Sequence, residues 1–198
     1  YAERGIAQAI PFRGPVAANT VAGTLSGWGA AHALSRRSLG GRMSLRRLLD
    51  DAIHYARQGV PVTNSQHRLT AAKMPELKDQ AGFAQTFLHQ GQAPATGSVF
   101  LQAQLAATLE QIARAGTEDF YRGDLARSMA RDLEALGSPL RLADLQRHQA
   151  RLVDPLTLAH SQGQVHNMTP PTQGLMSLII LGLLDRLSLS RHQVDSAD

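Results

Sequence analysis

The 198-residue chain carries 20 basic and 16 acidic residues, a formal charge of +4, and 43% of it is hydrophobic. That composition is globular rather than disordered, and the length suits one domain or a large piece of one. With no cysteine, a disulfide framework, a thiolate metal site and a cysteine nucleophile are excluded, although the compartment stays open.

Of the 20 bases only Lys73 and Lys78 are lysines. The longest apolar run, Gly174 to Leu184, is too short to span a bilayer. The chain starts at Tyr1 with no Met and no leader, and it ends in a polar stretch, so it is expected to be an excised segment of a longer protein.

Pro11, Gly14 and Pro15 punctuate an extended lead-in. A helix is expected from about Thr24 to Ser35, with Trp28 as its packing anchor. Gly23 and Gly27 are spaced to share a face and admit another backbone. Ser44 caps a clear amphipathic helix that carries Leu45, Leu48, Leu49, Ala52, Ile53 and Ala56, stopped by Gly59 and Pro61. Thr63 to Leu77 is helical but less regular, ending near Met74-Pro75, and Gly91 to Pro94 is a turn. The next helix sets Leu101, Leu105, Thr108, Leu109 and Ile112 on one face and ends at Gly116. Another opens at Thr117, breaks at Gly123 and resumes through Leu125, Met129, Leu133 and Leu136 to Gly137. A short helix covers Leu142 to His148.

The periodicity then changes. Leu156 to His160 and Gln164 to Met168 flank a Ser161-Gln162-Gly163 turn and read as a β-hairpin, which Thr169-Pro170-Pro171 stops. A last helix from Gln173 to Leu187 is apolar nearly all round and is expected to be deeply buried. The fold class is therefore mainly α with a small β component.

Chemistry is harder to find. None of the eight histidines forms H-E-x-x-H or a tight ligand spacing with a carboxylate. His160 and His166 could approach across the hairpin, but two polar residues at a sheet end is the simpler reading. Ser26 has Thr24 where a nucleophile elbow needs glycine, and the same glycines lack the Lys and Ser/Thr of a phosphate loop. Arg36, Arg37, Arg42, Arg46 and Arg47 cluster, yet Asp50 and Asp51 are placed to pair with Arg46 and Arg47. No aromatic residue interleaves, so a solvated face is preferred over nucleic-acid binding. By these rules the chain holds no self-sufficient active site.

Several strings stand in order: Ala22-Gly23-Thr24-Leu25-Ser26-Gly27-Trp28; Leu48 to Val62; Leu105 to Ala113; Phe120-Tyr121-Arg122-Gly123-Asp124-Leu125-Ala126; Asp144-Leu145; Pro155; and Met168 to Gly174. Over nearly the whole chain this resembles the large subunit of the γ-glutamyltranspeptidases, a family that includes some cephalosporin acylases. It departs from the family at Ala22 and Asp51 (usually Pro), at Ser138 (usually Gly) and in the Thr169 to Leu175 run.

The resemblance implies that residues 1–198 are the central, mostly helical part of an N-terminal-nucleophile hydrolase large subunit, its hairpin joining the parent's sheet. The parent would be a self-cutting precursor. An N-terminal Thr of its small subunit would attack a γ-glutamyl amide, such as that of glutathione, with its own α-amine as base and backbone amides holding the oxyanion. No metal or organic cofactor is implied. The partners implied are that small subunit and a γ-glutamyl peptide, not nucleic acid. Catalytic, substrate-binding and metal residues of this chain are accordingly none. Thr20, Thr24 and Thr172 supply hydroxyls, but none occupies the nucleophile's place, and the carboxylate-gripping Arg would precede Tyr1. The segment alone is expected to be inactive, and its last apolar helix to drive self-association. Ser196-Ala197-Asp198 resembles the start of a further helix. Alternatives are an acylase of the same family and a non-catalytic helical scaffold. Members are often exported, but this sequence carries no sign of its compartment.

Overall fold

The computed structural model describes residues 1–2 and 5–187, so the reading of Ser196 to Asp198 lies outside the described residues. The chain divides into two units, Tyr1–Arg151 and a second beginning at Leu152.

In the first unit, α1 (Thr24–Ser38) runs a turn further than expected and starts at Gly23, which offers no capping side chain. Trp28 is 48% exposed and so is not the buried anchor expected, whereas Ser26 is the buried residue of this helix. The small-residue face also behaves differently from expectation. Gly27 faces open space, Gly23 receives the His148 ring, and at Gly29 a Cβ would come within 2.5 Å of Thr117 Oγ1.

Ser44 caps α2 (Leu45–Gln58), its hydroxyl accepting Arg47 N–H at 3.2 Å. Leu49 and Ala56 are buried, while Leu48 is left exposed on the flank. Gly59, at φ +89°, lies so close to Val99 that a Cβ would collide with it, just before β1 (Val60–Pro61) pairs antiparallel with β2 (Val99–Phe100). Two-residue strands have no readable alternation, so sequence reasoning missed them. Thr63 caps α3 (Asn64–Leu77), which contains Pro75 rather than ending there. The short α4 (Phe83–Phe87) was also unforeseen, and its Phe87 stacks on Phe100 at 6.3 Å between centroids.

The helix α5 (Ala103–Ala115) packs against α2, with Ala106 and Ile112 fully covered. After Gly116 come α6 (Asp119–Arg122), the predicted break at Gly123, then α7 (Asp124–Ala135) and α8 (Leu142–Arg147). Ala126, Ala130 and Leu145 form a small core bordered by Val21, Met129 and Leu142. Alanines on α7 let α8 sit close, so the interface is tight but contributes little apolar area. Ser138, fully buried, ties the α7–α8 turn to the lead-in by donating to Ala18 O at 3.0 Å.

The second unit is a hairpin and a helix. β3 (Leu156–His160) pairs antiparallel with β4 (Gly163–Asn167) as the alternation implied. On it lies α9 (Gly174–Arg186), with Leu178 buried and Gly182 against Leu158. The expectation that this helix is buried all round is not met. Met176, Ile180 and Leu183 are each more than half exposed, because two strands cover only one side of a helix.

Candidate functional site

The best-constructed polar centre lies where α1, α6 and the segment after α8 meet. Tyr121 is fully buried. Its hydroxyl donates to Ala22 O at 2.7 Å and accepts Ser26 N–H at 3.0 Å. Ser26 Oγ in turn accepts Ala150 N–H at 2.7 Å. The His148 ring stacks on Tyr121 at 5.1 Å between centroids, and His148 O accepts Arg122 Nη2 at 3.1 Å. His148 Nε2 is buried without a hydrogen-bond partner. Every hydroxyl here is committed to backbone, so the arrangement fixes helix ends and activates nothing.

Asp119 organises the α6–α7 joint. Its carboxylate accepts the Asp124 N–H at 3.0 Å, the Leu125 N–H at 3.3 Å and Gln111 Nε2 at 3.1 Å. Burial alone would raise its pKa, but these hydrogen bonds outweigh that and hold the carboxyl below the usual range. The joint therefore begins α7 with a carboxylate at its positive end.

The hydroxyls singled out from sequence are not brought together. Thr20 and Thr24 are exposed. Thr172 Oγ1 donates into its own turn, to Met168 O and Thr169 O, both at 3.1 Å. His160 and His166 are not a ligand pair, because His160 is opposite Gly163 and His166 opposite Thr157, an odd offset that sends them to opposite faces of the hairpin. Among the described residues no cluster of His and carboxylates could hold a metal ion.

Two constellations escaped the sequence reading because they depend on pairing and packing. Asp185 accepts both the hydroxyl and the N–H of Ser161, the latter at 3.0 Å, while His160 Nε2 lies 3.6 Å from it. The Ser161 hydroxyl and amide lower the Asp185 pKa, helped by His160. The residue types are those of a triad, yet the carboxylate stands between hydroxyl and imidazole, so no base faces the hydroxyl. Thr157 Oγ1 and His166 Nδ1 are 2.9 Å apart on the exposed side, with no carboxylate orienting the ring among the described residues. The clefts of about 750 and 610 Å³ are lined by charged side chains of both signs, without a paired hydroxyl and base.

The family model described as Gamma-glutamyltranspeptidase matches residues 1–198. The chain is 53% identical over 181 residues to the oxamate amidohydrolase proenzyme of Klebsiella pneumoniae, covering 91% of this chain and 34% of that protein. It is 33% identical over 183 residues to the glutathione hydrolase-like YwrD proenzyme of Bacillus subtilis, covering 92% and 34% respectively. The cephalosporin acylase of Bacillus halodurans superposes with a TM-score of 0.82 at 29% identity, over 93% of this chain and 34% of that one. The chain thus spans about a third of the length of these relatives.

Proposed function

The chain belongs to the gamma-glutamyltranspeptidase family, and from that premise we propose that its parent protein is an amidohydrolase acting on a small carboxylate-bearing amide of the oxamate class. The observation that carries this reading is the 53% identity to an oxamate amidohydrolase proenzyme, spread over nine-tenths of the chain.

Residues 1–198 are the central, mostly helical part of the large subunit in this reading. The nucleophile is the N-terminal Thr of a small subunit released from the same precursor, outside these residues. Its hydroxyl adds to the amide carbonyl while its α-amine takes the proton, ammonia leaves, and water opens the acyl ester to release the dicarboxylate. Backbone amides carry the negative charge of each tetrahedral intermediate. This chain's part is mechanical: the Tyr121 and Asp119 joints fix helix ends. Alone it is inactive.

A second reading is favoured by the 33% identity to a glutathione hydrolase-like proenzyme. There the donor is a γ-glutamyl amide such as glutathione, and an amino acid or peptide can replace water as acceptor.

The experiment is expression of the full reading frame, with N-terminal sequencing of each band and parallel assays on oxamate and a γ-glutamyl anilide. A smaller fragment beginning with Thr and ammonia release from oxamate support the first reading. Anilide cleavage without ammonia release moves the substrate to the second, and turnover of a glutaryl amide alone indicates an acylase. One uncut, inactive chain leaves a scaffold and sinks both. Turnover by the isolated 198-residue chain would refute its mechanical role.

A further inference from the structure

From Arg36 to Leu49 the chain contains five arginines and no acidic residue. Structurally this run is the end of α1, a tight corner and the start of α2. The corner is held firmly. Ser35 O accepts both Leu39 N–H and Gly41 N–H at 3.0 Å, and His32 Nε2 donates to Met43 O at 2.8 Å. Gly40, at φ +70°, turns the chain, and Gly41 lies so close to Ser35 that a Cβ would not fit.

What the corner presents is unusual on two counts. Leu39 is 75% exposed, Met43 59% and Leu48 50%, so three apolar side chains stand in water amid the arginines. Among the described residues, Arg47 pairs with Asp51 at 3.6 Å, while Arg36, Arg37, Arg42 and Arg46 have no carboxylate partner. Glu118 shares a cleft with Arg36 and Arg37, but its carboxylate is engaged by Arg122. Arg46 and Arg47 also stand in the first turn of α2, where the helix dipole disfavours cations and no acidic residue compensates. Charge and apolar surface are thus both left unsatisfied on one corner, where Arg36, Arg42, Met43 and Leu48 also line a shallow cleft of about 180 Å³.

We propose that this corner docks on an anionic lipid surface, its arginines meeting headgroup phosphates while Leu39 and Met43 enter the acyl boundary. A soluble polyanion would satisfy the arginines and leave the apolar tips in water. A lipid interface satisfies both. The proposal is independent of the amidase reading.

The test is cosedimentation of the full-length parent protein with vesicles of equal parts phosphatidylglycerol and phosphatidylcholine, against phosphatidylcholine alone. Binding is expected only to the anionic vesicles, weakening as salt rises from about 0.1 M to about 1 M. Each exposed arginine near such a surface is worth about fivefold in partitioning, so R36Q/R37Q/R42Q should lower it on the order of a hundredfold. The triple lysine variant R36K/R37K/R42K should retain binding. L39S/M43S should weaken it about tenfold or more without altering binding of soluble poly-glutamate. Equal binding to both vesicles, or none, overturns the proposal. Retention of poly-glutamate without vesicle binding also overturns it, and assigns the corner to an acidic polypeptide. Amide turnover is unaffected by any of these outcomes.

Discussion

Tyr121 caps a helix that begins almost a hundred residues before it: its hydroxyl accepts the N–H of Ser26 at 3.0 Å. Ser26 lies in the first turn of α1, where backbone amides have no carbonyl to bond, and Gly23 at the cap position offers no side chain. The same hydroxyl donates to Ala22 O at 2.7 Å, so one phenol satisfies both sides of the helix entry.

Tyr121→Phe should therefore destabilise the first unit by about 1–3 kcal/mol, the cost of a buried amide and carbonyl losing their partner. Urea unfolding of the parent protein measures it. A midpoint unchanged from the unsubstituted protein would mean that water replaces the phenol at no cost.

Gly123 is a matter of space. A Cβ there would collide with the Asp119 carboxylate and approach its Cα at 2.8 Å. Gly123→Ala should push the carboxylate off the start of α7 and cost at least what Asp119→Ala costs, about 1 kcal/mol for a lost cap. If Gly123→Ala melts with the unsubstituted protein while Asp119→Ala does not, the joint has relaxed and the steric argument is wrong.

Acid should loosen the same joints. Asp119 is held below its ordinary value against the effect of burial by Gln111 and the amides of Asp124 and Leu125, and Asp144 is lowered chiefly by the Arg141 N–H. Because both are lowered on folding, their stabilisation is complete above the unfolded carboxylate value of 3.8. It is lost as pH falls through the lower folded values. Melting temperature followed from pH 6 downward, roughly to pH 2, should fall less steeply for Asp119→Asn than for the unsubstituted protein. Parallel curves would remove Asp119 from the account.

The open side of α9 should make the isolated 198-residue chain sticky. Ile180 is 53% and Leu183 55% exposed, on a helix only partly covered by the hairpin. Sedimentation velocity should show concentration-dependent association that Met176→Ser with Ile180→Ser abolishes, since both side chains are more than half exposed and neither lines the cleft between α9 and β3. A monomer at all concentrations would contradict this.

Much was legible along the chain because it is written locally. The i, i+3, i+4 spacing of Leu45, Leu49, Ile53 and Ala56, a serine cap and a glycine stop specify α2 whatever lies around it. Alternation around a turn likewise marked the hairpin, although Gly163, read as part of the turn, already pairs with His160 and sets the register. Family membership was legible for the same reason, as short strings in a fixed order. Where local signals are weak, the reading failed. Two-residue strands have no period, and Pro75 is tolerated inside α3, contrary to its usual breaking effect.

By itself, then, the sequence determined the longer helices and the hairpin, the absence of cysteine chemistry and the family, since each depends on neighbours within a few residues. Only the tertiary structure decided that Trp28 faces solvent while Ser26 is buried, and that Tyr121 rather than a local side chain caps α1. It alone separated His160 from His166 and set Asp185 between His160 and Ser161. Burial, capping at a distance and the order of groups in a cluster are set by which surfaces meet, and no periodicity within one segment encodes the partner it meets.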